Sequence, residues 1–136
     1  MSVNYEVMNE VPSAEEYVAL RVLAGLSPKD IKASEIGLRN SIYAVTIRNQ
    51  STLIGMGRII GDGGCFYQIV DIAVDPVYQG QGLGKRIMTE LTNFLENQVP
   101  KGAYVSLIAD VPADKLYEKF GFNYTSPKSV GMYRTF

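Results

Sequence analysis

The sequence predicts an α+β fold: a mixed, mainly antiparallel sheet with one parallel strand pair and helices beside it. Three observations predict it. Strand-like runs follow one another between residues 41 and 74 with only short turns between them, as antiparallel neighbours do. The last of these, Cys65–Val74 (CFYQIVDIAV), leads into a stretch of helical period and then into a second apolar run, Ala103–Ala109. Strand, helix, strand in that order implies a right-handed crossover joining parallel strands. No linker, repeat or low-complexity tract interrupts the 136 residues, so residues 1–136 read as a single domain.

Val3, Tyr5 and Val7 alternate with polar residues, which suggests a first strand over about 3–8. Pro12 and Ser13 open a helix, with Glu15 and Glu16 in the first turn where the helix dipole favours acids. Tyr17, Leu20, Arg21 and Ala24 mark one face of it, and Gly25 ends it. Ser27-Pro28 reads as a second helix start, running toward Gly37. Ser41–Arg48 and Leu53–Ile60 are strands, with the turn at Asn49-Gln50-Ser51 and a further turn at Gly61–Gly64. Cys65–Val74 is mostly apolar, as expected of a strand covered on both faces. From Gly80 to about Asn97, residues Leu83, Ile87, Met88, Leu91, Phe94 and Leu95 fall on one helical face. A short helix is expected over Ala113–Phe120, closed by Gly121, and two final antiparallel strands over Phe122–Tyr124 and Val130–Phe136.

The chain has no His and one Cys. That excludes Ser-His-Asp and Cys-His catalytic sets, imidazole metal sites and thiolate zinc clusters, so no metal is expected. Proton transfer falls to carboxylates, Tyr, Lys, water or a terminus. Cys65, in an apolar run, reads as a small core residue. The net charge of −1 provides no basic field for nucleic acid. No stretch approaches the ~18 apolar residues of a membrane span, and no signal-type run opens the chain. A cytoplasmic protein without membrane or nucleic-acid partners is the expectation.

The most informative segment is Gln79-Gly80-Gln81-Gly82-Leu83-Gly84-Lys85-Arg86, between a strand and a long helix. Glycines let the backbone curl closely around a ligand. The first turn of the helix offers unpaired N–H groups and the positive end of its dipole, which together suit phosphate or pyrophosphate. A tight turn with no ligand is the alternative reading. A Walker loop is not matched: position 79 is Gln and position 86 is Arg, so the magnesium-binding hydroxyl is missing and nucleotide hydrolysis is a weak reading. A Rossmann fingerprint fails at Lys85, and its turn would follow the first strand of a parallel sheet.

The run Val74 through Lys85, V-D-P-x-Y-Q-x-x-G-x-G-K, resembles the acyl-CoA loop of the GNAT superfamily of N-acetyltransferases. Gln79, Gly82 and Gly84 match its core [RQ]-x-x-G-x-[GA]. Downstream, Ala113 to Phe122 is similar to the family's A-x-x-L-Y-x-x-x-G-F. The two motifs stand at the family's usual separation, and the resemblance covers at least residues 41–136. It implies a GNAT-like sheet in which the one parallel pair is splayed. It also implies acetyl-CoA as co-substrate, a primary amine as acceptor, of a small metabolite in preference to a peptide or protein, direct attack in a ternary complex and a homodimer.

By the same resemblance, backbone N–H groups from Gln79, Gly80, Gln81, Gly82, Leu83, Gly84 and Lys85 hold the pyrophosphate of coenzyme A. Ile72, Ala73 and Val74 pair with the pantetheine arm like an added strand and polarise the thioester carbonyl. Tyr117 matches the Tyr near the coenzyme sulfur, the expected general acid; packing on the inner helix face is its alternative. Asp71 is the nearest candidate base, through a water, with a structural role as its alternative. On an unbroken strand Asp71 and Val74 face opposite ways, and a bulge would change that. Asp110 stands where the family often has Asn, and is a candidate helix cap. Acceptor specificity is expected from residues 12–40 and the final hairpin, with Tyr17, Arg21, Glu35, Arg39 and Tyr133 as candidates. Arg58 has no assigned role. A non-catalytic coenzyme A-binding sensor or partner module is the competing function.

Overall fold

The computed structural model describes residues 5–136. The expected first strand begins outside them, and its described part is β1 (Glu6–Met8). The order continues α1 (Ala14–Leu23), α2 (Ile31–Arg39), β2 (Tyr43–Asn49), β3 (Thr52–Gly61), β4 (Phe66–Val74), α3 (Leu83–Gln98), β5 (Tyr104–Leu107) and α4 (Asp114–Glu118). The strands form one sheet in the order β1-β2-β3-β4-β5. All neighbours are antiparallel except β4 and β5, which are parallel across the α3 crossover.

Local chemistry accounts for most boundaries. Ser13 caps α1 in a reciprocal capping box: its hydroxyl accepts from the Glu16 N–H, and the Glu16 carboxylate accepts from the Ser13 N–H. Glu10 and Glu16 both pair with Arg48, tying the start of α1 to β2. The two-residue turn Gln50-Ser51 has φ of 49° and 75°, the left-handed pair that matches hairpin twist. The second helix starts later than Ser27-Pro28 suggests. Asp30 caps it, accepting from the Ala33 N–H, while Ser27 is taken up as an acceptor for Arg21.

Two cores sit on opposite faces of the sheet. On one, α3 contributes Ile87, Met88 and Leu91, all fully buried, against Val45, Ile47, Ile54, Ile59, Tyr67 and Ile69. Burying each large aliphatic of this kind stabilises by roughly 1.5–3 kcal/mol. On the other, Ala14, Tyr17 and Leu20 of α1 and Leu38 of α2 cover Leu53, Met56 and Ala73. α3 lies close because β3 presents glycines beneath it. A β-carbon on Gly57 would fall 2.6 Å from Ile87 Cγ2 and 3.2 Å from Leu91 Cδ1. Gly57→Ala is therefore expected to destabilise by about 1–3 kcal/mol through overpacking. Denaturant unfolding with an unchanged m-value checks this, and a neutral result would mean that α3 rides outward freely.

Three expectations change. Cys65 is exposed rather than in the core: it lies in the Gly61–Gly64 turn region, where its N–H and those of Gly64 and Phe66 donate to Asp62 Oδ1. β4 is only partly covered on its second face, where the α1 helix leaves a cleft beside Gln68 and Val70. The two final strands do not form. Phe122–Tyr124 makes no ladder, the Tyr124 hydroxyl donating instead to Asp114 and Glu118 on α4. Residues 130–136 have no partner edge among the described residues, and Met132, Tyr133 and Phe136 are 89, 94 and 105% exposed. Alternating apolar residues make a strand only where an edge is there to receive them.

Candidate active site

The parallel pair comes apart where a site can open. β4 and β5 are in register from Phe66↔Tyr104 to Ile69↔Leu107. β5 then ends, while β4 continues to Val74 with that edge unpaired. A cleft of about 400 Å³ fills the gap, lined by β4 from Ile69 to Val74, by Gly80, Gly82 and Gly84, and by Tyr117. Of the expected cofactor residues, Ile72, Ala73, Val74, Gln79, Gly80, Gly82, Leu83 and Gly84 line this one cleft, and Gln81 and Lys85 flank it in sequence.

The loop that bounds the cleft is held from several sides. Gln79 Nε2 donates to the Val74 carbonyl at 3.2 Å, and the Tyr5 hydroxyl donates to Gln81 Oε1 at 2.6 Å. Gly80 and Gly82 have φ of 81° and 82°, the left-handed region that a side chain resists. Gly82 is the N-cap of α3 and no side chain caps that terminus. The N–H groups of the first turn thus face an external acceptor, and the helix dipole adds positive potential there. Lys85 is exposed beside it, while Arg86 pairs with Glu90. An anionic group with several oxygens fits this cradle, and an extended arm fits the open β4 edge.

Tyr117, on α4, is half-buried at the inner end of the same cleft. Burial, then the charge of Asp110, pushes its phenol above the ordinary tyrosine value, so it carries its proton throughout the neutral range. Asp110 is exposed and does not cap α4, whose N-cap is Ala113; the Asp110 carbonyl accepts the Ala113 N–H at 2.7 Å.

Asp71 is reached through a bulge. Met56 pairs with Ala73 and Arg58 with Val70, so Asp71 and Ile72 together oppose Gly57. Asp71 has φ 61°. The bulge reverses the alternation: Tyr67, Ile69, Ile72 and Val74 pack toward α3, while Asp71 and Ala73 turn toward α1. There the carboxylate, 6% exposed, accepts from the Tyr17 hydroxyl at 2.9 Å, from Arg58 Nε at 2.6 Å and from Arg21 Nη1. Three donors on one carboxylate make an anchor. These bonds engage both carboxylate oxygens.

Tyr17 holds both guanidiniums over its ring, at 5.9 and 5.8 Å from the centroid. Burial first, then Asp71, raises its phenol. Arg58 was not foreseeable as part of the site; its only signal is an Arg inside the apolar run LIGMGRII. Of the expected specificity residues, Tyr17 and Arg21 line a second cleft, described below. Glu35 and Arg39 line neither this cleft nor the first, and Tyr133 lines an apolar hollow near Tyr117 and Ile108. Among the described residues no group of three or more His, Cys, Asp or Glu is placed to hold a metal, and no helix is long and apolar enough to cross a membrane.

Comparison with known proteins bears on this arrangement. The model of the acetyltransferase (GNAT) domain matches residues 20–132. A histone acetyltransferase from Glycine max is 32% identical over 83% of this chain and 48% of its own length. An N-alpha-acetyltransferase from Mycobacterium tuberculosis is 36% identical over 59% of this chain and 51% of its own. The chain spans a third to a half of the length of the plant relatives it matches. A probable acetyltransferase of unknown function from Staphylococcus aureus is 51% identical, with a TM-score of 0.94, covering 98% of this chain and 100% of that one. A GNAT-family acetyltransferase from Streptococcus pneumoniae is 25% identical, with a TM-score of 0.77 over 97% and 98% of the two chains.

Proposed function

Because the chain belongs to the GNAT family of acetyltransferases, we propose that it is an acyltransferase moving an acetyl group from acetyl-CoA to the primary amine of a small molecule, by direct attack in a ternary complex. The observation that carries the reading is the cleft between β4 and β5, which joins an uncapped helix start, an unpaired strand edge and a protonated Tyr in one groove. Acetyl-CoA would supply the activated acyl carbon and a thiolate leaving group. The backbone N–H groups from Gln79 to Lys85 would hold its pyrophosphate, and the edge at Ile72–Val74 its extended arm. A backbone N–H of that edge would serve the thioester oxygen as an oxyanion donor. Tyr117 holds the proton that the departing sulfur needs. Asp71 acts as a positioning residue, fixing Tyr17, Arg21 and Arg58 beside the place where the strands part. The amine then loses its proton to water rather than to Asp71.

The test is thiol release from acetyl-CoA by the full chain across a panel of primary amines, with the acetylated product identified by mass. Amine-dependent release matched by product is expected. No release with any amine, from folded protein that binds coenzyme A, overturns the transfer reading in favour of a binding module.

A further inference from the structure

A second cleft, of about 350 Å³, opens on the α1 side of β4. It meets the first along Ile69, Val70 and Asp71, with Arg21 and Ile108 common to both. Its charged lining is three cations, Arg21, Lys29 and Arg58, against a single carboxylate, Asp71. That carboxylate is already consumed internally by Tyr17 and the two arginines. No acceptor charge is left for an ammonium group.

The cations are not all spent. Every guanidinium nitrogen of Arg21 has an acceptor: Nε and Nη2 donate to Ser27, Nη1 to Asp71. Arg58 differs. Its Nε donates to Asp71 and its Nη1 to the Gly37 carbonyl and Ser41 Oγ, but its Nη2 has no acceptor among the described residues. Lys29 is exposed and forms no ion pair among the described residues. A guanidinium held by an internal ion pair with one nitrogen lacking an acceptor among the described residues, on a cleft that an exposed ammonium also lines, suits an anionic group.

We propose that this cleft is the acceptor subsite and that it selects amines carrying an anionic group, a carboxylate or a phosphate, which Arg58 and Lys29 hold. The inference rests on the acetyl-transfer reading and names its substrate class. Anchoring the anion here leaves the attached amine to reach toward Ile69–Asp71, where the cleft runs into the groove beside Tyr117. Diamines and polyamines meet a net positive lining and are disfavoured.

The test uses the full chain, acetyl-CoA and a matched set of amines on one carbon skeleton: neutral, carboxylate-bearing, phosphate-bearing and diamine. An anionic member is expected to exceed the neutral and diamine members in kcat/KM by about tenfold or more; the carboxylate and phosphate arms tell which anion the cleft takes. Lys29→Gln should raise KM for the anionic amine several-fold more than for the neutral amine. Arg58→Lys, which retains a charge beside Asp71, should lower the preference for the anionic over the neutral amine more strongly still. A diamine or neutral amine used best, or a Lys29→Gln effect equal for all amines, overturns the inference. If no amine releases thiol, calorimetric binding of the same set in the presence of coenzyme A decides: preference for the anionic amine upholds this inference and overturns only the transfer reading, and no preference overturns this one.

Discussion

Asp71→Asn is expected to lower the stability of the fold by about 3–5 kcal/mol, the range for removing one partner from a buried ion pair. The substitution conserves shape, and Asn tolerates the φ of 61° at this position, so backbone strain does not confuse the result. What it removes is charge. Arg21 and Arg58, whose side chains are 9 and 13% exposed, then share a pocket with no counter-ion. The amide oxygen still accepts one bond, but the amide nitrogen turns a donor toward donors. Equilibrium unfolding measures the loss, and a cycle with Arg58→Met isolates the coupling. A loss below about 1 kcal/mol would mean that water screens the triad and that Asp71 is not the anchor of the acceptor wall.

Tyr117→Phe is expected to reduce kcat about a hundredfold, at the low end of the range for general acid–base groups, with coenzyme A affinity nearly unchanged. The ring remains, so packing against the α3 core is preserved and only the hydroxyl is lost. The pH profile gives a second handle. Burial and Asp110 raise the phenol, so its acid form persists past its ordinary value of about 10. The wild-type rate should therefore climb with pH as the acceptor amine loses its proton, with no falling limb from Tyr117 below about pH 10. Unchanged turnover in the Phe variant would leave Tyr117 a packing residue and remove the acid from the mechanism.

Both predictions concern residues that the sequence singled out, and the structure gives them different surroundings. Tyr117 lies in the groove, as A-x-x-L-Y implies. Asp71 lies on the α1 side of β4, where it meets Tyr17 and Arg21 from α1 and Arg58 from the neighbouring strand. The capping box at Ser13 and Glu16, the apolar face from Leu83 to Leu95 and the glycine turn before it were legible. Each depends on residues within a few positions of one another. Ser27 opens no helix because Arg21, six residues before it, takes its carbonyl and hydroxyl as acceptors. The final hairpin was misread because alternation specifies which face a strand would bury, not whether an edge will accept it.

By itself, then, the sequence determined the parallel crossover and the glycine turn that opens α3. Hydrophobic period, glycine freedom and helix-terminal N–H groups are local properties, and the missing histidines had already excluded the imidazole alternatives. Only the tertiary structure decided which way Asp71 points. Two residues of β4 fit against Gly57 of β3, the extra residue reverses the alternation of faces, and a carboxylate that an unbroken strand would have turned toward α3 is delivered to Tyr17, Arg21 and Arg58. A bulge is a matter of register between two strands packed under a helix, and no single stretch of chain encodes it.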